Sequence, residues 1–152
     1  MKTNAKQYKT NIDFLSLKKN KTDIKKVAIK SSKDAEAYAR QFYFEDLGIY
    51  ESVFILLLNQ SNNTIAFAKI SQGGICSTIV DTAIIAKYAV DTLAKGVILV
   101  HNHPSGNLTP SNGDKKITEK VKNTLAIFDC TLLDHIILTE DSYTSFADEG
   151  LM

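Results

Sequence analysis

The run Val97-Ile98-Leu99-Val100 constrains the fold more than any other stretch of the chain. It is β-branched and aliphatic throughout, follows Gly96 and leads to Pro104-Ser105-Gly106, the pattern of a buried strand that ends in a tight turn. His101-Asn102-His103 stands at that end. Alternate side chains of a strand share a face, so His101 and His103 are expected to project together while Asn102 faces the other side. Two imidazoles converging at a strand end can share one divalent ion, and two of the chain's three histidines sit here.

A third ligand is offered by Asp114, eleven residues after His103. Ser111-x-x-Asp114, preceded by Pro110, also has the shape of a capping box, and an acidic residue in a first helical turn is stabilised by the helix dipole with no metal present. Taken with the two histidines and a turn that folds the chain back toward them, Asp114 is better used as a ligand, and a capped first turn would hold it in place. Zinc bound by two imidazole nitrogens and one carboxylate oxygen, at roughly 2.0–2.2 Å each, leaves a fourth tetrahedral position for water. No Cys-x-x-Cys pair is near to close that position, which favours a catalytic over a structural site.

Length and charge bound the remainder. With 152 residues and 44% hydrophobic content, one globular domain with its own core is expected. Cys76 and Cys130 lie far apart, which suits reduced thiols in the cytoplasm rather than a disulfide framework, and neither reads as a nucleophile. The polar N-terminus has no apolar segment long enough for a signal peptide or a membrane span. Charge is uneven: residues 1–33 balance at +8 and residues 34–152 at −7. Residues 1–30 are therefore read as a basic N-terminal arm, and residues 31–152 as the folded domain. The arm could meet DNA phosphates, but no Arg and few aromatics interleave with its lysines, so a solvated leader is the plainer reading.

The element order is that of an α/β protein. Residues Ile24–Ile29 suggest an edge strand, and Ser31-x-x-Asp34 a capping box opening a helix through about Phe44. Glu51–Asn59 is a strongly apolar strand, Ser61-Asn62-Asn63 a turn and Thr64–Ser71 the returning strand, closed by Gln72-Gly73-Gly74. Asp81 caps a helix to about Leu93, Gly96 starts the histidine-bearing strand, and Ser111 to about Phe128 is the next helix. Leu132–Leu138 and Tyr143–Phe146 complete a single mixed β-sheet flanked by helices.

The spacing His101-x-His103, seven residues, then Ser111-x-x-Asp114 resembles the JAMM signature of the MPN/JAB metalloprotease superfamily. The longer string HNHPSGNLTPSNGD, with LLDHIIL at 132–138 and SFADEGLM at the C-terminus, is more similar to the RadC branch, and the likeness covers about residues 34–152. The resemblance implies a cytidine-deaminase-like sheet, zinc held by His101, His103 and Asp114, and a general base at the start of the first long core strand, where Glu51 stands. It also implies that the Ser111 hydroxyl helps hold an oxyanion. Glu45 and Asp46 are alternatives to Glu51, set at a helix end where acids are ordinarily solvated. RadC-like proteins often carry a helix-hairpin-helix module before this domain, for which this chain has no room, so a DNA role inherited from that module is not expected.

That set of residues suits hydrolysis of an amide or isopeptide bond. Zinc lowers the pKa of water to about 7, a carboxylate can take and return the proton, and a hydroxyl can stabilise the oxyanion. The partner implied is a peptide or protein-conjugate substrate. Rivals are weaker: a zinc deaminase needs Glu two residues after its His and a Pro-Cys-x-x-Cys, both absent here, and HNH nucleases use scattered ligands of a different fold. A non-enzymatic MPN-type scaffold need not keep Glu, His, His and Asp together, while a DNA-associated accessory, repair-type role rests on the basic arm. His135 reads either as a residue orienting a ligand or as a satisfied core histidine. Asn102, Ser105 and Asn107 read as cleft-lining or turn-forming residues.

Overall fold

The computed structural model describes residues 13–16, 18–43, 47–73 and 80–152. Its elements are α1 (Ser32–Ala39), extended by a 3-10 turn at Arg40–Phe42, then β1 (Ser52–Leu58), β2 (Thr64–Gln72), α2 (Thr82–Asp91), β3 (Gly96–Asn102), α3 (Asn112–Ala126), β4 (Thr131–Leu138) and β5 (Tyr143–Ser145). Each expected helix start is capped: Ser31 accepts from the Asp34 amide, Asp81 from the Ala83 amide and Ser111 from the Asp114 amide, and at Ser111 the box closes fully, whereas Asp34 accepts from the Lys30 amide and not from that of Ser31. Such side chains satisfy helix-start amides that no helical carbonyl can reach.

The strands form one mixed sheet in the order β2-β1-β3-β4-β5. β3 and β4 are parallel, joined by the crossover through α3, and every other pair is antiparallel. The β1 and β2 hairpin turns at Asn62, which takes a left-handed φ of 56°, a conformation asparagine tolerates better than most residues. The Asn59 carboxamide oxygen ties that turn by accepting from the Ser61 and Asn63 amides.

β1 and β3 are buried on both faces along their length, because helices cover the sheet from both sides. Phe54, Leu56, Leu58, Ile98, Val100, Ile136 and Leu138 meet α1 and its extension. Val53, Ile55, Leu57, Val97, Leu99 and Leu132 meet α2 and α3. Strand alternation thus sorts one continuous apolar run into two separate cores.

The edge strand expected at Ile24–Ile29 is a single bridge, Ala28 to Asn63. Here the chain pairs with the hairpin turn and the first residue of β2: the Ile29 amide donates to the Asn62 carbonyl, the Thr64 amide to the Val27 carbonyl, and the Val27 amide to Thr64 Oγ1. A turn offers too few aligned groups for a ladder. Ile29 is nonetheless buried and Ile24 packs against the α1-side core. Cys130 is a buried free thiol whose pKa burial pushes up; Cys76, Phe44 and Gly74 lie outside the described residues. No helix among the described residues is long and apolar enough to cross a membrane.

Candidate metal centre

Alternation along β3 decides where the histidines point. His101 continues the Val97 and Leu99 face, opposite Val53 in the β1 register, and becomes the last buried side chain of that core. His103, just beyond the strand, is held by its own amide donating to the Leu138 carbonyl at 2.8 Å. The turn that follows is closed by the Gly106 amide donating to the His103 carbonyl at 3.0 Å, with Gly106 at a φ of 78°. This conformation suits glycine because a Cβ there is strained.

The return of the chain delivers the N-terminus of α3 to the same place. His101, His103 and Asp114 each offer a ligand atom, and these atoms all lie within 4.8 Å of one another. His101 Nε2 is 2.8 Å from His103 Nε2, 3.3 Å from Asp114 Oδ1, and His103 Nε2 is 3.6 Å from Asp114 Oδ2. Asp114 also completes the capping box, its Oδ2 accepting from the Ser111 amide at 2.7 Å. The carboxylate therefore serves the helix start and faces both imidazoles.

The outward nitrogens are tied down. His103 Nδ1 lies 2.6 Å from the Asn107 carbonyl, an acceptor only, so Nδ1 carries the proton and Nε2 is left with a lone pair. His101 Nδ1 meets His135 Nε2 at 2.7 Å, and His135 Nδ1 meets Thr118 Oγ1 at 2.6 Å. His135 is fully buried, stacked on Phe146 with ring centroids 4.5 Å apart. Burial pushes its pKa well below the imidazole range, which keeps the ring neutral.

Glu51 and Ser111 line the same cavity as the three ligand candidates, together with Val53, Val80, Leu99 and Ile117; its volume is about 630 Å³. Continuing the register in which Val53 opposes His101 places Glu51 across from His103 on the same face. Ser111 Oγ accepts from the Asp114 amide at 3.1 Å, which leaves its proton to donate toward the cavity. Glu45 and Asp46 lie outside the described residues.

Asn102 has a role that its residue type alone did not reveal. Fully buried on the α1 side of the sheet, its Oδ1 accepts from the Ser52 amide at 2.8 Å and its Nδ2 donates to the Leu47 and Tyr50 carbonyls at 2.7 Å each. Tyr43 Oη donates to the Ser52 carbonyl at 2.9 Å and the Gly73 amide to the Glu51 carbonyl at 2.9 Å. The main chain is thus pinned on both sides of Glu51. Burial, then the charge of Glu51, raises the Tyr43 pKa well above its usual value, so its hydroxyl stays a donor. The one sequence signal was parity: Asn102 had to face away from the histidines.

A mixed sheet with its ligand cluster at the C-terminal end of a parallel strand and the N-terminus of the crossover helix defines the class of protein. Residues 29–151 match the family model of the RadC-like JAB domain, and the chain belongs to that family. It is 45% identical over 139 residues to a UPF0758 protein of Flavobacterium johnsoniae, covering 91% of this chain and 56% of that one. A UPF0758 protein of Vibrio cholerae is 45% identical over 106 residues, covering 68% of this chain and 67% of that one. One of Fusobacterium nucleatum is 36% identical over 137 residues, covering 88% and 58%. The chain spans about half the length of several of the curated relatives it matches.

Proposed function

We propose that the protein is a zinc-dependent hydrolase of the JAMM type that cleaves an amide or isopeptide bond in a peptide or protein conjugate. One observation carries this reading. His101 Nε2 and His103 Nε2 face each other at 2.8 Å beside the Asp114 carboxylate, and the His103 ring has its proton committed to the Asn107 carbonyl on the far side. Two imidazole nitrogens and a carboxylate converge within 4.8 Å of one another, so the cluster can share one cation. Two imidazoles and a carboxylate are the donor set of catalytic zinc sites.

When bound, zinc supplies a Lewis acid that makes water a nucleophile near neutral pH. The remaining work falls to the chain's own groups. Glu51, on the same face and lining the same cavity, takes the proton of the attacking water and returns it to the leaving amine. The Ser111 hydroxyl donates to the oxygen that becomes negative. Val53, Val80, Leu99 and Ile117 give the cavity apolar walls.

The test separates ligand from base. Glu51→Gln is expected to keep stoichiometric zinc and lose hydrolysis of an amide or isopeptide substrate, while His103→Ala is expected to lose the metal by elemental analysis. Full hydrolysis by Glu51→Gln would sink the base assignment, and full zinc in His103→Ala the ligand assignment.

A further inference from the structure

We propose that His135 and Thr118 are positioning residues that fix the tautomer of His101, and so decide whether its Nε2 presents a lone pair to a metal ion. This inference rests on the metal reading above and deepens it. Thr118 Oγ1 lies 2.6 Å from the Asp114 carbonyl oxygen, which has no hydrogen to give, so the hydroxyl proton is committed there. The Thr118 oxygen can then only accept from His135 Nδ1, 2.6 Å away, and that nitrogen carries the ring proton.

A neutral imidazole has one N–H, so His135 Nε2 is an acceptor. At 2.7 Å it takes the Nδ1–H of His101, and His101 Nε2 is turned toward His103 and Asp114. The chain of bonds therefore starts at the main chain of one ligand candidate, crosses α3, β4 and β3, and ends on the side chain of another. Its direction is set by one carbonyl group. Phe146, stacked on His135, holds the relaying ring in its plane. A reversed chain would put the proton on His101 Nε2, where the metal binds, and would leave Thr118 without its carbonyl bond.

Partners of this kind typically alter metal affinity about 10–100-fold when removed. The experiment measures Zn²⁺ affinity by competition with a chromophoric chelator for the wild-type chain, Thr118→Ser and Thr118→Val, with nitrogen-resolved NMR of the imidazole rings in the metal-free proteins. Thr118→Ser, which keeps the hydroxyl, is expected to stay within about threefold of wild type, and Thr118→Val to weaken about 10–100-fold. A folded Thr118→Val that binds zinc as tightly as wild type overturns the proposal, as does a Thr118→Ser as weak as Thr118→Val. The wild-type spectra decide it without any variant: a proton on His135 Nδ1 supports the relay, and one on Nε2 overturns it. A wild-type chain that takes up no zinc sinks the metal reading instead, and the same spectra still decide the relay.

Discussion

On the α1 side of the sheet, Phe42 stacks on Phe67 with centroids 4.1 Å apart and Tyr43 meets Phe54 edge-on at 4.8 Å, whereas on the α2 and α3 side an aliphatic core gives way to three histidines. β3 contributes to both. Its last residues are polar on each face, Asn102 on one and His101 on the other. Asn102 spends both polar atoms on backbone groups around Glu51. His101 spends one nitrogen on His135 and turns the other toward a second imidazole and a carboxylate. A buried polar group whose bonds all close within the protein builds structure; one that keeps a lone pair facing other lone pairs is left to bind something.

The comparison is broken most forcefully from the sealed face. Phe54→Ala empties part of the aromatic cluster and is expected to cost about 3–5 kcal/mol in urea unfolding. Zinc per folded chain should not change, since the ligand candidates sit on the opposite face; parallel loss of metal would show that the faces are not separable. Next comes Asn102→Ala, which strands the Ser52 amide and the Leu47 and Tyr50 carbonyls. About 2–3 kcal/mol is expected from such unpaired buried groups, with zinc affinity kept and hydrolysis impaired through the displaced Glu51. Should zinc affinity fall as far as hydrolysis, Asn102 would be holding the ligands and not the base.

Ser111→Ala is smaller, about 1 kcal/mol for a lost N-cap, measured by thermal unfolding. Because the cap also orders Asp114, zinc affinity should weaken as well, and an unchanged affinity would mean that the carboxylate needs no capped turn. The smallest effect is expected at Asp134, whose Oδ1 accepts from the His135 and Ala147 amides and whose Oδ2 accepts from the Ser145 hydroxyl. Asparagine can keep both amide contacts through its Oδ1 and reverses the third, its amide donating to Ser145 Oγ. Burial raises the Asp134 pKa despite those donors, so the folded state holds the proton more tightly than the unfolded one. The stabilisation is present below the ordinary carboxylate pKa and is lost as pH rises through the raised one. Asp134→Asn should therefore gain on wild type as pH rises from about 4 toward 7 in urea titrations, and an Asn variant that loses ground over that window would reverse the sign.

Much of the fold could be read from local pattern. The apolar runs at Val53–Leu58 and Val97–Val100, the capping signals at Ser31, Asp81 and Ser111, and the Asn-rich turn each answer to a nearest-neighbour rule. The first helix ends earlier than its periodicity suggests, tightening to a 3-10 turn at Arg40–Phe42. There the Arg40 guanidinium turns toward the carbonyls of Thr139, Glu140 and Ser142, a contact a hundred residues away that no local window contains. Ile24–Ile29 has strand composition without a strand, since its partner is the hairpin turn.

For the site, the spacing of His101, His103, Ser111 and Asp114 was enough to suggest which residues meet, because strand parity and a helix cap are both short-range facts. The direction of the proton chain through His135 and Thr118 was not in that spacing. Those two residues come from β4 and α3, and only the crossover packing brings a hydroxyl, a buried imidazole and a ligand ring to 2.6 and 2.7 Å. The sequence by itself determined the donor types and the face they share, through rules that act within a few residues. The tertiary structure decided which nitrogen each histidine turns toward that shared point, since a ring's tautomer is set by whatever the rest of the chain packs against it.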